Sequence, residues 1–195
     1  MRHLFLGWGS LLWDEGDYAI PYASKWVRTE LKLPLEFSRI SKSRGGALTL
    51  VIDPANGTSC NVYSAFSSRT KLNEAICDLR CREGIALDQV GFIDLLECNW
   101  RSDLHSSIVS HIRSFAEENR LNSVIWTELC SNFHAETHIS FSIEAAVNYL
   151  KYVITEEGSH QAKEYIDNTA SNIQTPLRKH LNRTDWWQSY GRPRD

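Results

Sequence analysis

Leu4-Phe5-Leu6-Gly7-Trp8-Gly9-Ser10-Leu11-Leu12-Trp13 is the stretch on which the reading of the fold turns. Leu4 to Gly7 reads as a short buried strand. The loop Gly7-Trp8-Gly9-Ser10 behind it must turn sharply, which its glycines allow, and a strand that ends in a glycine-rich turn brings backbone close to a bound ligand. The apolar run is broken by Gly7 and Gly9 and followed by Asp14, Glu15 and Asp17, so neither a signal peptide nor a membrane-spanning helix is expected.

Working outward, Lys25 to Ser41 mixes β-branched, aromatic and charged residues and is expected to be extended, with Pro34 marking an edge or a bend. Ala47 to Ile52 and Cys60 to Phe66 are β-prone. Asp53-Pro54-Ala55-Asn56-Gly57 between them predicts that the two pair as a hairpin. Thr70 is placed to cap a helix whose apolar positions, Leu72, Ala75, Ile76 and Leu79, share one face and which Gly84 stops. Val90 to Leu96 reads as a buried strand, Asp103 as the start of a helix with Leu104, Ile108, Ile112 and Phe115 inward, and Val124 to Thr127 as a further strand. From Ser142 two helices are expected, with Ala146, Leu150 and Val153, then Ala162, Ile166 and Ala170, facing inward. Pro176 is expected to close the pair. Trp186, Trp187 and Tyr190 would pack over the domain or onto a partner.

Glu83 breaks the pattern. It follows Leu79 by four positions on the apolar face of the first helix, where a hydrophobic residue is expected, and sits in the last turn beside exposed carbonyl groups. Both circumstances push a carboxyl pKa upward, which suits a general base in a cleft. The plainer alternative is a frayed helix end with Glu83 paired to Arg80 or Arg82 at the surface.

With 195 residues and 42% apolar content, one substantial core is possible and a single domain, 1–195, is expected, carrying a helical extension from about residue 142. The net charge of −3 lacks the basic cluster that nucleic acid would attract, and no membrane partner is expected. Cys60, Cys77, Cys81, Cys98 and Cys130 are odd in number and show no disulfide framework, which fits reduced thiols in a cytoplasmic protein.

Two stretches together resemble a known family. Leu6-Gly7-Trp8-Gly9-Ser10-Leu11-Leu12-Trp13 is similar to the loop after the first strand of γ-glutamylcyclotransferases, most closely the ChaC type within the AIG2-like superfamily, and Arg82-Glu83-Gly84 resembles the family's catalytic glutamate segment. The likeness covers about Leu4 to Leu96. It implies an α+β fold, a small barrel-like mixed sheet flanked by helices, here with extra C-terminal helices. It also implies release of an amine or amino acid from a small γ-glutamyl or glutathione-like compound, with formation of 5-oxoproline and without metal or organic cofactor. Glu83 would be the base, and Gly7, Trp8, Gly9, Ser10 and Leu11 would bind substrate. Trp8 stands where the family usually has tyrosine. A non-catalytic binding or regulatory module on the same fold, or another amide-cleaving or acyl-transfer enzyme, is the alternative.

Other signals weigh less. His134 and His138, or Cys77 and Cys81, have metal-compatible spacing but lack further ligands. No local context singles out a nucleophilic cysteine. Trp8 and Trp13 read equally as core aromatics or ligand contacts, and Arg39, Lys42 and Arg44 more as a solvated strand face than as the lining of an acidic-substrate pocket.

Overall fold

The opening apolar run forms β1 (His3–Gly7), in which all five residues are buried. The structure, a computed structural model, describes residues 2–155 and 160–190. Behind β1 come a 3-10 turn at Ser10–Leu12, then β2 (Val27–Ser41), β3 (Ala47–Ile52), β4 (Thr58–Phe66), α1 (Leu72–Glu83), β5 (Val90–Asp94) and β6 (Asn99–Arg101). They are followed by α2 (Ser106–Glu118), β7 (Ser123–Thr127), α3 (Phe133–Thr137), α4 (Ile143–Thr155), α5 (His160–Asn168), α6 (Pro176–Leu181) and α7 (Asp185–Ser189). The fold is α+β, with seven strands in the order β3-β2-β4-β1-β7-β5-β6. β1 runs parallel to β7 and antiparallel to β4, so the sheet is mixed.

The expected barrel is not there. The sheet has two ends, β3 and β6, and β6 spans three residues, too few backbone groups to carry a closing ladder. The expected hairpin of β3 with β4 is also absent, because β2 lies between them. β3 pairs instead with β2, from Ser41 against Ala47 to Leu35 against Ile52. The tight connection that permits this carries Gly45 and Gly46 at φ of 54° and 76°, where glycine has no Cβ to clash. Asp53-Pro54-Ala55-Asn56-Gly57 does turn, closed by Gly57 N–H on the Asp53 carbonyl at 2.8 Å, but it leads across β2 rather than back along β3. Pro34 lies inside β2 at the end of its ladder with β3, where its carbonyl accepts from Asp53 N–H at 2.8 Å.

Helix starts differ from expectation where a backbone group is already engaged. Lys71, not Thr70, precedes the first turn of α1, while the Thr70 carbonyl meets the His3 imidazole at 3.2 Å. Gly84 ends α1 as expected, in the left-handed conformation, with Ile85 N–H reaching back to the Arg80 carbonyl at 3.3 Å. The Asp103 amide is bonded to the Glu128 carboxylate, and α2 starts at Ser106, where the His105 ring caps it by accepting from the Ser107 amide at 3.3 Å; its buried residues are Val109, Ile112 and Ala116. Pro176 opens α6 instead of closing the preceding pair, its missing N–H costing nothing in a first turn that Thr175 caps. In α4 the expected Ala146, Leu150 and Val153 are buried, and in α5 Ala162 and Ile166 are; Ala170 falls beyond the end of α5.

Contacts divide the chain into two compact units, the boundary falling within β2 and β4. The first, Met1–Leu33 with Asn61–Leu129, has a core of Phe5, Leu11, Ile20, Ala75, Ile76, Leu79, Val90 and Ile125. The α1 stripe thus docks on β1, β5 and β7. The second, Pro34–Cys60 with Cys130–Asp195, packs α4 and α5 against β3. The aromatic tail folds onto this unit: Trp187 is buried and donates from its indole to Asp167 at 3.3 Å, and the Tyr190 hydroxyl donates to the Ile154 carbonyl at 3.2 Å. Among the described residues no helix is long and apolar enough to cross a membrane.

Candidate functional site

The turn after β1 is built by its own backbone. The Leu12 amide donates to the Gly9 carbonyl at 3.1 Å, and those of Trp13 and Asp14 to the Ser10 carbonyl at 3.2 and 2.9 Å. The amides of Ser10 and Leu11 open this 3-10 turn, a position that has no acceptor within the turn itself. Trp8, Ser10 and Leu11 are all buried, which fits Trp8 as a core aromatic. Gly7 is glycine for a reason of space, since a Cβ there would stand 2.8 Å from the Trp26 ring.

Glu83 is the last residue of α1, and its side chain retains 18% exposure. Its neighbour is the less foreseen feature. Arg82 keeps only 6% side-chain exposure and spans two elements, with Nη2 donating to the Asp14 carbonyl and lying 4.0 Å from the Asp14 carboxylate, and Nη1 standing 3.5 Å from Glu83 Oε1. One guanidinium therefore joins the chain just past the 3-10 turn to the helix-end glutamate. The plainer expectation, that Glu83 pairs with an arginine, holds for Arg82, but the arginine is buried.

Tyr22 packs against the core of the same unit. Its ring meets Phe5 edge-on at 5.9 Å and Trp26 at 5.4 Å. Burial pushes its hydroxyl up to about 12; the charge of Arg82 opposes the shift and that of Glu83 adds to it. A second anchor holds the intervening loop: the Tyr18 hydroxyl donates to buried Asp78 of α1 at 2.6 Å, and Arg69 grips the same carboxylate at 2.7 and 3.0 Å. Sequence reasoning missed Asp14, Tyr22 and Trp26, and it read Arg82 only as a surface partner of Glu83. Arg82 was legible as the neighbour of Glu83; Tyr22 lies in a loop without periodicity and carried no signal.

The remaining candidates lie elsewhere. Arg39 donates to the Cys130 carbonyl at 2.9 Å, Lys42 pairs with Glu136 at 2.9 Å and the Arg44 guanidinium lies 5.5 Å from the Tyr165 ring centre, all within the second unit. His134 sits on α3 while His138, at φ of 59°, lies just past its end, so helical spacing does not carry both. Cys77 and Cys81 are exposed on α1. Burial pushes the Cys60 thiol up, away from the thiolate a nucleophile needs. A cavity of about 500 Å³ in the second unit is lined in part by Ser131 and Asn132, but these are engaged with the backbone of β2: Ser131 donates to the Ser38 carbonyl at 2.8 Å, and the Asn132 amide bridges the N–H and carbonyl of Ile40 at 2.7 and 3.1 Å. Set against family models, curated proteins and solved structures, the chain matches none of them.

Proposed function

We propose that this chain is a γ-glutamyl cyclotransferase that releases an amine or amino acid from a small γ-glutamyl compound as the glutamyl part closes into 5-oxoproline. The observation that supports it is the Arg82 guanidinium, which ties Glu83 to the chain that leaves the glycine turn. The substrate brings its own nucleophile. Its α-ammonium, with a pKa near 8, must lose a proton, which costs about 1.4 kcal/mol at neutral pH, and Glu83 is the base that takes it. The freed nitrogen attacks the γ-carbonyl carbon, the ring C–N bond forms, the amide C–N bond breaks as Glu83 returns the proton to the departing nitrogen, and the second proton of the ring nitrogen passes to the released amine. Ring closure of tethered groups carries effective molarities on the order of 10⁵ M or more, so the protein's main task is to hold the folded conformer. In this reading the opening amides of the 3-10 turn, Ser10 and Leu11, receive the carbonyl oxygen as it gains charge, and the Ser10 hydroxyl adds a donor.

Glu83→Gln tests this. The variant is expected to fold as the parent does and to lose nearly all 5-oxoproline formation from γ-glutamyl substrates; parental turnover would assign the base to another group. A second reading, a binding module without turnover, is favoured by the same ion pair, because a base must exchange Arg82 for the substrate's proton. Ligand-induced thermal stabilisation without product selects that reading.

A further inference from the structure

We propose that Cys77 and Cys81 form a two-coordinate thiolate site on the outer face of α1 that takes a soft monovalent metal ion of the copper(I) class. The site stands apart from Glu83 and does not depend on the cyclotransferase reading. The two cysteines are four residues apart within α1 and both are exposed, while Ala75, Ile76, Asp78 and Leu79 of the same helix are buried. Helix geometry puts such a pair on one face, with Cβ atoms about 5–6 Å apart. Gly84, three residues past Cys81, adds no side chain there, and a Cβ built on it would meet nothing within 4 Å, so the space beside the thiols is open.

The number of ligands selects the ion. Among the described residues no group of three or more His, Cys, Asp or Glu is placed to hold a metal ion, so the fourfold coordination of a structural zinc is not supplied. A soft monovalent ion prefers thiolates and is satisfied by two of them in line. With bonds of about 2.3 Å, the length thiolates make to zinc, a linear sulfur–metal–sulfur unit spans about 4.6 Å, which fits Cβ atoms about 5–6 Å apart. Binding displaces one proton from each thiol and leaves the oxidation state of the metal unchanged. The complex carries one negative charge, which Arg80, exposed three residues after Cys77, offsets; Glu74, on the turn before, is paired with Lys71 at 3.7 Å. The other thiols do not chelate as a pair: Cys60 is buried on β4, and Cys98 and Cys130 stand singly in loops.

Reduced protein, kept free of oxygen, is titrated with copper(I) against a chromophoric copper(I) chelator. One equivalent is expected to bind, with two sulfur neighbours in its X-ray absorption spectrum. Cys77→Ser and Cys81→Ser are each expected to weaken binding by about a hundredfold or more, the gain a second tethered ligand gives, whereas the Cys98→Ser/Cys130→Ser double variant binds as the parent does. Parental affinity in either α1 variant, loss in the loop variant, three or four ligands on the metal, or a copper-bridged dimer in size-exclusion chromatography overturns the site. The parent alone supplies a second measurement. One equivalent of copper(I) is expected to shield Cys77 and Cys81 from iodoacetamide while Cys98 and Cys130 still react, read by mass spectrometry of the peptides; equal alkylation of all four overturns the proposal.

Discussion

Replacing Arg82 with glutamine should unfasten the candidate site and destabilise its unit together. The arginine is 6% exposed and makes two kinds of contact. Its bond to the Asp14 carbonyl is charge-assisted, a class worth about 1.5–3 kcal/mol. Its pairing with Glu83 at 3.5 Å involves a carboxylate that is 18% exposed; removing one partner of a fully buried pair costs about 3–5 kcal/mol, and partial solvation takes this pair well below that range. The Asp14 carboxylate, at 4.0 Å and 35% exposed, adds little. Allowing for the donor that glutamine retains, the loss is about 3 kcal/mol, or a fall in Tm of about 6–12 °C for a chain of this size. Urea unfolding followed by tryptophan fluorescence, with calorimetry, measures it. Arg80→Gln is the control: this neighbour is exposed, and surface substitutions usually stay within about 0.5 kcal/mol. If Arg82→Gln costs less than about 1 kcal/mol, or Arg80→Gln costs as much, the bridge is not what holds the two segments. Under the proposed chemistry, Arg82→Gln also lowers 5-oxoproline formation by about 10²-fold, the scale expected when a reacting group is displaced by an ångström.

Two further outcomes follow from packing and burial. Gly91→Ala places a methyl group 2.1 Å from Glu128 Oε2 and 2.3 Å from the ring of fully buried Trp126, so overpacking should destabilise by about 1–3 kcal/mol; an unchanged urea midpoint would show that β5 yields freely there. Glu36 has no exposed surface in β2, and burial pushes its carboxyl up despite hydrogen bonds from the amides of Phe37 at 2.8 Å and Leu177 at 3.2 Å. A carboxyl whose folded pKa is raised binds its proton more tightly in the folded state. Its contribution to stability is therefore full below the unfolded value of about 4.3 and is lost as pH rises through the folded value. The stability difference between the parent and Glu36→Gln should shift in favour of the variant as pH rises across that window. A pH-independent difference in urea midpoints would refute the assignment.

The sequence disclosed what depends on local periodicity. β1 was legible because its residues are buried on both faces and leave no polar interruption, and α1 because Ala75, Ile76 and Leu79 follow the helical repeat and Gly84 needs a left-handed φ. The hairpin was misread because two turns competed. Asp53-Pro54-Ala55-Asn56-Gly57 carries the stronger motif, but Gly45-Gly46 closes β2 onto β3, and which neighbour a strand takes is decided by the whole sheet rather than by the turn. The 15-residue β2 shows why: a strand that long can pair with different partners along its length, a choice that no local motif encodes.

The candidate site divides along the same line. Glu83 stood out because it violates a repeat, a signal that needs no partner to be seen. Tyr22, Trp26 and Asp14 belong to a loop with no repeat to violate, and they gain meaning only from tertiary contacts: Trp26 on Gly7, Tyr22 on Phe5, Asp14 on Arg82. Arg82 is the instructive case. On a helical wheel it is the flanking charge of a polar helix end, and periodicity would leave it in water; the loop returning over α1 buries it, so its guanidinium becomes the strut between two segments that the sequence places 68 residues apart. A helix-end carboxylate read from periodicity alone would be a lone, desolvated acid. Beside a buried arginine it is one arm of a bridge, and a base in that setting works by trading its pairing with the guanidinium for the incoming proton.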